Sequence, residues 1–198
     1  LLNYTSKIDL FNHMIDMQIK EPLREIELKS SIKSIKVISD DISKKVKNQY
    51  EENPYPRWRF GNRNATANFL FYLNNDIKPN GIEFNNKFIK PNVLIAGCGT
   101  GQQIINAIGY QNSNIVAVDL SFASLAYAKR KIEELGHKNV EFLQGDILNL
   151  NILNKKFDII ECAGVLHHMR EPLEGLKVLL NLLEPHGFLK LGLYSDKA

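Results

Sequence analysis

Three glycines spaced two residues apart are the feature of this 198-residue sequence whose type and spacing could do chemistry. Gly97, Gly99 and Gly101 follow the apolar run of residues 93–96, and the amphipathic run of residues 104–108 comes soon after them. This order predicts a buried strand, a tight turn and a helix. Glycines let a turn adopt positive φ angles and approach a ligand closely, and a helix start offers unpaired N–H groups. The first hypothesis is therefore a nucleotide-like ligand.

Two acids further along the chain support this hypothesis, because a glycine turn can also be a simple chain reversal. Asp119 ends an apolar run about 20 residues after the turn. Nucleotide-binding α/β units place an acid at this point, and it accepts hydrogen bonds from the ribose hydroxyls. Asp146 ends the next apolar run. Either acid could instead cap a helix or stabilise a turn. Acids at two successive strand ends favour a ligand site at the carboxyl edge of a parallel sheet.

The spacing of the glycines discriminates between kinds of nucleotide. A dinucleotide fingerprint requires a third glycine at position 102, where this chain has Gln102, so an NAD-dependent oxidoreductase is disfavoured. A phosphate-binding P-loop ends in Gly-Lys-Ser or Gly-Lys-Thr, and the turn lacks this ending. The G-x-G-x-G spacing, with acids after the second and third strands, instead resembles the class I S-adenosylmethionine-dependent methyltransferases.

The resemblance covers about residues 91–194 and includes two further blocks. Residues 157–169, FDIIECAGVLHHM, resemble the family's fourth strand and the loop after it, and residues 182–189, LLEPHGFL, resemble the start of its fifth strand. S-adenosylmethionine is the cofactor that this resemblance implies, with Asp119 on the ribose hydroxyls and Asp146 with Ile147 at the adenine. The cofactor-binding residues expected from the core are Gly97, Cys98, Gly99, Gly101, Gln102, Asp119, Leu120, Asp146, Ile147 and Cys162.

One position departs from the family pattern. Many members carry an acid two residues before the first glycine, and this chain has Ile95 there. Another group must therefore contact the methionine amino group in place of that acid. The backbone of residues 162–164 is one candidate.

A polar stretch rich in aromatic residues, residues 49–59 (QYEENPYPRWR), is a second candidate for cofactor contact, and we call it the lid segment. Its prolines favour an extended path, and aromatic rings beside guanidinium groups suit a sulfonium cation, an adenine face or a carboxylate. We expect Tyr50, Arg57, Trp58 and Arg59 to cover the cofactor. The alternative is a rigid linker whose Trp58 packs on the sheet. With its preceding helix, the segment also resembles uncharacterised bacterial methyltransferases that carry upstream helical repeats.

His167 and His168 are the candidates for a catalytic base. They lie in the loop after residues 157–163, where a methyl acceptor would enter, and Tyr194 is a weaker candidate on the same side. Methyl transfer from a sulfonium is an in-line displacement, so a base is needed only for a protonated acceptor. Alternatively, one histidine caps the following helix or bonds the backbone. No Cys/His cluster with zinc spacing occurs, so no metal is predicted.

Strands alternating with helical patterns predict the elements that position these residues: a Rossmann-like, three-layer α/β sandwich with a mostly parallel sheet. We predict a helical N-terminal extension with the lid segment over residues 1–60 and a methyltransferase core over residues 61–198. Residues 1–37 are interpreted as helix and the asparagine-rich residues 74–92 as loop. Because the sequence stops where a fifth strand, residues 188–194, finishes, we expect the family's last two strands to be missing, which leaves this strand as an unpaired edge.

Composition limits the classes of partner. The net charge of +3 is spread among both signs, so a nucleic-acid partner is not expected, and an RNA methyltransferase is a disfavoured alternative. The two cysteines, Cys98 and Cys162, do not indicate a disulfide framework, which favours a reducing cytoplasm. Apolar runs are too short to span a membrane, so no membrane association is expected.

The sequence therefore predicts a cytoplasmic S-adenosylmethionine-dependent methyltransferase that acts on a small-molecule or protein acceptor. The alternative from another class is a non-catalytic module that binds S-adenosylmethionine or a protein partner. Neither the acceptor nor the oligomeric state follows from the sequence. Pairing through the N-terminal helices or through the open sheet edge would be two routes to an oligomer.

Overall fold

The glycine turn follows the central strand of a six-stranded parallel sheet, as seen in a computed structural model that describes residues 3–61, 65–81 and 88–195. The strand order is β1-β4-β3-β2-β5-β6, and each pair of neighbours is parallel. The strands are β1 (Lys33–Ser34), β2 (Asn92–Ala96), β3 (Asn114–Asp119), β4 (Val140–Gln144), β5 (Phe157–Ala163) and β6 (Leu183–Gly192). In this order the strand ends that carry Asp119 and Asp146 are neighbours.

Helices cover both faces of the sheet. They are α1 (Asp9–Ile15), α2 (Glu21–Lys29), α3 (Asp41–Glu52), α4 (Phe69–Asp76), α5 (Gln102–Ile108), α6 (Phe122–Glu134) and α7 (Pro172–Leu182), with a π-helical turn at Asp16–Lys20 and 3₁₀ turns at Ile147–Leu153 and Leu166–His168. Side chains of α4, α5 and α6 share one core, and those of α7 and the 3₁₀ turns share the other. The predicted three-layer α/β sandwich is confirmed.

Strand β2 shows why the apolar runs form central strands. Val93 and Ile95 pack into the core under α5 and α6, whereas Leu94 and Ala96 pack into the core under α7. All of these side chains are fully buried. A strand with helices on both faces needs apolar residues at every position, so a continuous apolar run replaces the alternating pattern of a half-exposed strand.

The N-terminal region differs from the prediction, because residues 1–37 are not helical throughout. The helix formed by α1, the π-helical turn and α2 ends at Lys29, and β1 then pairs with β4. Ile32 packs in one core and Ile35 against the other, as residues three apart do in an extended chain. The Ile35 N–H donates to the Gln144 carbonyl oxygen at 2.8 Å. A spacing of three between apolar residues is also typical of a helix, so the sequence does not distinguish the two structures here.

The last strand also differs from the prediction, because β6 begins at Leu183 and not at residue 188. Leu183 pairs with Phe157 and Phe188 pairs with Ile159, so β6 is bulged between these two pairs. Pro185 lies in this bulge, where it has no register partner on β5. The predicted loop 74–92 begins within the end of α4, and its residues 82–87 lie outside the described residues. The division of the chain at residue 60 stays a prediction.

A buried network of charges fastens α2 and the lid segment to α6. Arg130 on α6 is only 4% exposed, and its Nη2 lies 3.1 Å from Glu21 and 3.0 Å from Glu25. Arg57 approaches the same Glu25 carboxylate with both terminal nitrogens, at 3.2 Å and 2.9 Å. Both guanidinium groups also lie over the Tyr127 ring. Glu25 therefore compensates two cations, one of them buried.

Within the described residues, every helix is too short or too polar to cross a lipid bilayer.

We predict that Glu25→Leu lowers the free energy of unfolding by about 3 kcal/mol, because it leaves the buried Arg130 cation undercompensated. Urea denaturation followed by circular dichroism measures this change. The matched control is Glu27→Leu on the same helix, since Glu27 is exposed and pairs with the exposed Arg24. That control should change stability little. Equal losses in the two variants would contradict the role assigned to the network.

The glycine turn gives a second stability prediction. Gly97 has a φ of +78°, and a Cβ there would lie 2.3 Å from Val165 Cγ2. Gly99 has a φ of +50°, but a Cβ there would lie more than 4 Å from every atom of the described residues other than its chain neighbours. Alanine at Gly99 should therefore lower the free energy of unfolding by about 1–2 kcal/mol, through backbone strain alone. Alanine at Gly97 should lower it by about 2–4 kcal/mol, through strain and a clash together. Urea denaturation should give this ranking, and the reverse ranking would contradict it.

Candidate functional site

A cavity of about 360 Å³ lies at the carboxyl ends of β2 to β5, under the lid segment, and we call it the strand-end cavity. Its volume is within the usual range for small-ligand sites. Most of the residues predicted to bind the cofactor line it: Tyr50, Gly97, Cys98, Gly99, Gln102, Asp119, Leu120, Asp146 and Ile147. The candidate base His168 also lines it. The structure thus brings together residues that are up to about a hundred positions apart in the chain.

Several predicted residues lie elsewhere. Gly101 allows α5 to approach α6, because a Cβ there would lie 2.9 Å from the Ala128 side chain. Cys162 points into the core under α7, where burial raises the pKa of its thiol to about 12. Arg59 lies 3.9 Å from Glu21 on α2. None of these three residues lines the cavity, so their contact with the cofactor stays a prediction.

Asp119 is held in place by the backbone on both sides of it. Its Oδ2 accepts a hydrogen bond from the Gly99 N–H at 2.8 Å, and its Oδ1 accepts one from the Ser121 N–H at 2.9 Å. Burial raises the pKa of this carboxyl even though the two backbone bonds favour the charged form. A carboxylate has about four acceptor positions, so it keeps capacity for hydroxyl donors from a ligand.

Asp146 caps a turn and also lines the cavity, which are the two positions that the sequence left open for it. Its Oδ1 accepts from the Leu148 N–H at 3.0 Å, so it caps the 3₁₀ turn after β4. It also lines the strand-end cavity together with Ile147. The Gly145 N–H donates to the Asp119 carbonyl oxygen at 3.0 Å, which joins the ends of β3 and β4. The two acids consequently lie on the same side of the molecule, next to the glycine turn.

The lid segment divides into a part that faces the cavity and a part that anchors it. Tyr50, Tyr55 and Pro56 line the cavity. Trp58 is buried in the core beside α6, and its Nε1 donates to the Thr100 carbonyl oxygen at 2.9 Å. Thr100 Oγ1 in turn donates to the Pro56 carbonyl oxygen at 2.5 Å. The packing of Trp58 fits the linker alternative, and contact of Tyr50 with the cofactor stays a prediction.

The end of α3 is fixed against the start of α6. Ser121 Oγ lies 3.0 Å from both the Tyr50 carbonyl oxygen and the Glu51 carboxylate, and the Ala123 N–H donates to Glu51 Oε2 at 3.0 Å. Burial alone would raise the pKa of Glu51, but hydrogen bonds from Lys29, Ala123 and Ser121 outweigh it and hold the pKa below its ordinary value. A carboxylate at a helix start is favourable, so Tyr50 is held over the cavity.

The two candidate bases occupy different positions. His168 lies in the cavity wall, and burial together with the neighbouring His167 lowers its pKa. The His167 ring stacks on Tyr194, with 4.2 Å between the centroids and 33° between the planes. Both of its ring nitrogens are buried without a hydrogen-bond partner among the residues the structure describes. His168 is thus better placed than His167 to contact an acceptor from the cavity.

Thr100 and Gln103 are two of the cavity-lining residues that sequence reasoning missed. Thr100 joins the glycine turn to the lid segment. Gln103 lines the cavity, and its Nε2 donates to the Ala163 carbonyl oxygen at 3.1 Å. Both lie within the glycine-rich block, but the pattern of that block specifies only the glycines. Their side-chain contacts depend on segments that are distant in sequence.

Comparison with known proteins matches residues 90–195 to the family described as methyltransferase domain. An uncharacterised protein of Rickettsia prowazekii is 33% identical over 153 residues, which are 74% of this chain and 57% of that protein. An uncharacterised protein of a Synechococcus strain is 34% identical over 110 residues, 54% of this chain and 26% of its own length. The chain therefore spans about a quarter to somewhat over half of the length of these relatives.

Two solved structures are also similar. The magnesium protoporphyrin IX methyltransferase ChlM of Synechocystis, with bound SAM, has a TM-score of 0.52 at 21% identity, covering 75% of each chain, which shows a shared fold. The Rickettsia typhi protein PKMT2 in complex with AdoHcy is 35% identical with a TM-score of 0.46, over 50% of this chain and 20% of that one.

The methyltransferase-domain match covers more than half of the chain, and the fold is the one that the glycine turn and the two acids predicted. The chain therefore belongs to the class I S-adenosylmethionine-dependent methyltransferases, whose cofactor is S-adenosylmethionine.

Proposed function

We propose that this chain binds S-adenosylmethionine in the strand-end cavity and transfers the methyl group to a small-molecule or protein acceptor that enters beside His168. The observation that supports this most is the common location of Gly99, Asp119 and Asp146 in one cavity. The space in front of Gly99 fits a ligand that approaches the backbone closely, because a Cβ there would be more than 4 Å from the non-neighbouring atoms of the residues that the structure describes.

The sheet order indicates how the cofactor lies. Asp146 and Ile147 follow β4, Asp119 ends β3, and the glycine turn follows β2. Since β4, β3 and β2 are consecutive neighbours, adenine, ribose and methionine groups can lie over successive strand ends. Asp119 would accept from the ribose hydroxyls, and Ile147 would pack on the adenine. Tyr50 and Tyr55 of the lid segment would limit the access of water.

The main contribution of the protein to methyl transfer is to position the reactants. S-adenosylmethionine supplies an electrophilic methyl group on a sulfonium. The walls of the cavity hold this group and exclude water, and the residues beside β5 and β6 leave a route for the acceptor: His168, Met169 and Tyr194. Tyr194 is 76% exposed, so this route opens to solvent. An open acceptor route favours a catalytic domain over a module that only binds S-adenosylmethionine.

His168 is suited to accept a proton from an acceptor that arrives protonated. Its lowered pKa means that the neutral, basic form predominates at pH 7. An acceptor that arrives deprotonated, with a free lone pair on the attacking atom, would not need this proton transfer.

Relatives with named activities illustrate acceptors that this fold can serve. A demethylmenaquinone methyltransferase of Lactococcus lactis is 31% identical over 98 residues, and a malonyl-[acyl-carrier protein] O-methyltransferase of Halalkalibacterium halodurans is 33% identical over 101 residues. These names support a small-molecule or carrier-bound acceptor. The cytoplasmic location, the lack of a nucleic-acid partner and the routes to an oligomer stay predictions.

Isothermal calorimetry tests the cofactor site directly. We expect adenosylhomocysteine to bind and NADH not to bind. Asp119→Asn should weaken adenosylhomocysteine binding about 10- to 100-fold, because the asparagine amide group would face the Gly99 or Ser121 N–H and the charged acceptor is lost. Asp41→Asn, at an exposed residue that pairs with Lys44, should bind like the wild type. Binding of NADH, or unchanged binding by Asp119→Asn, would contradict the proposal.

Transfer of a tritiated methyl group into the small-molecule and protein fractions of a bacterial lysate identifies the acceptor class. With the accepting fraction, His168→Gln should lower the rate about 10²- to 10⁴-fold if the acceptor arrives protonated, and adenosylhomocysteine affinity should not change. The wild-type rate should fall as the pH drops through the lowered His168 pKa, below 6.5, since the base becomes protonated. His167→Gln is the comparison. A pH profile that His168→Gln leaves unchanged would exclude the base role.

A further inference from the structure

Gln103 has an amide whose orientation is set by its surroundings. It is the second residue of α5, and its Nε2 donates to the Ala163 carbonyl oxygen at the end of β5, at 3.1 Å. A carbonyl oxygen can only accept hydrogen bonds, so the amide NH₂ group must face Ala163. The amide oxygen, Oε1, therefore lies on the other side of the group.

That oxygen is buried and has no hydrogen-bond partner among residues 3–61, 65–81 and 88–195. Buried polar side-chain atoms are nearly always hydrogen-bonded, so an unpartnered one in a ligand cavity indicates a group that a ligand completes. Gln103 lines the strand-end cavity, so a hydrogen-bond donor of a ligand bound there can complete this oxygen.

The position of Gln103 identifies the part of the ligand. Ala163 and the glycine turn stand at the neighbouring ends of β5 and β2, beyond the ends of β4 and β3. If adenine lies over β4 and ribose over β3, the methionine part lies over β2 and β5. The donor that this part carries is its α-ammonium group.

No acid on β2 or β5 is placed for that role, since Asp158 lies near the other end of β5 and accepts from the Asn92 N–H at 2.8 Å. Ile95 occupies the position of the usual acid and is fully buried. Glu161 is its register partner on β5, but its carboxylate accepts from the Tyr110 hydroxyl at 2.6 Å inside the core, and burial raises its pKa. Glu161 does not line the cavity. The Ala163 carbonyl, part of the backbone considered for this contact, already accepts from Gln103.

We propose that Gln103 Oε1 accepts a hydrogen bond from the α-ammonium group of the methionine part, replacing the acid that Ile95 displaces. Gln103 is then a specificity-determining residue that favours ligands carrying this amine. The inference rests on the proposed function, since it assumes that S-adenosylmethionine occupies the cavity.

Calorimetry with three ligands tests the contact between Gln103 and the amine. The ligands are adenosylhomocysteine, its decarboxylated form, which keeps an amine, and methylthioadenosine, which lacks the amino-acid part. Gln103→Leu should weaken binding of both amines about tenfold or more and change methylthioadenosine binding less than about twofold. Gln111→Leu, which alters an exposed glutamine outside the cavity, is the matched control and should bind like the wild type.

The outcomes are distinguishable. Equal weakening of all three ligands by Gln103→Leu would assign Gln103 a purely structural role and overturn the inference. Unchanged binding of adenosylhomocysteine would also overturn it. If the wild-type protein bound none of the three ligands, the proposed function itself would fail. Retained methylthioadenosine binding shows in the same experiment that the variant is folded.

Discussion

The carboxylate of Asp119 is the group on which the site depends. It accepts hydrogen bonds from the Gly99 N–H in the turn after β2 and from the Ser121 N–H at the start of α6, so one side chain joins two loops at the edge of the sheet. Charge-assisted bonds of this kind are strong, and they fix the turn before a ligand arrives. The Gly97 and Cys98 N–H groups add bonds to the Val118 carbonyl oxygen at 2.8 Å and 2.9 Å. The floor of the cavity is therefore preorganised.

The N-terminal region completes this cavity from above. Tyr50 and Tyr55 reach the cavity because the lid segment is fastened at both ends. Thr100 joins Pro56 and Trp58 to the glycine turn, and Glu51 joins the end of α3 to the start of α6. The charge network around Arg130 extends this fastening to α2. Residues before the glycine turn thus belong physically to the same site, and β1 joins the sheet of the core.

Prediction from sequence succeeded where local pattern and structure coincide. The apolar run before Gly97 and the acid at Asp119 indicated a strand, a turn and a neighbouring strand end, and the structure has all three. It failed where one spacing suits two structures. Ile32 and Ile35 match a helix and a strand equally, and pairing with β4 decided between them. Arginine beside tryptophan suits a ligand, but Arg57 and Arg59 lie beside acids of α2 in this structure, and a cofactor contact of Arg59 stays a prediction.

The sequence by itself determined the fold class and the edge of the sheet that carries the site, because strand periodicity and the Gly97 and Gly99 positions are local properties of the chain. Only the tertiary structure decided which side chains face the cavity. Cys162 and Ala163 are neighbours in sequence, but the pleat turns the Cys162 thiol into the core while Ala163 reaches the cavity. The orientation of the Gln103 amide likewise depends on a carbonyl sixty positions away. A local pattern carries no information about such partners, since they meet only when the sheet forms.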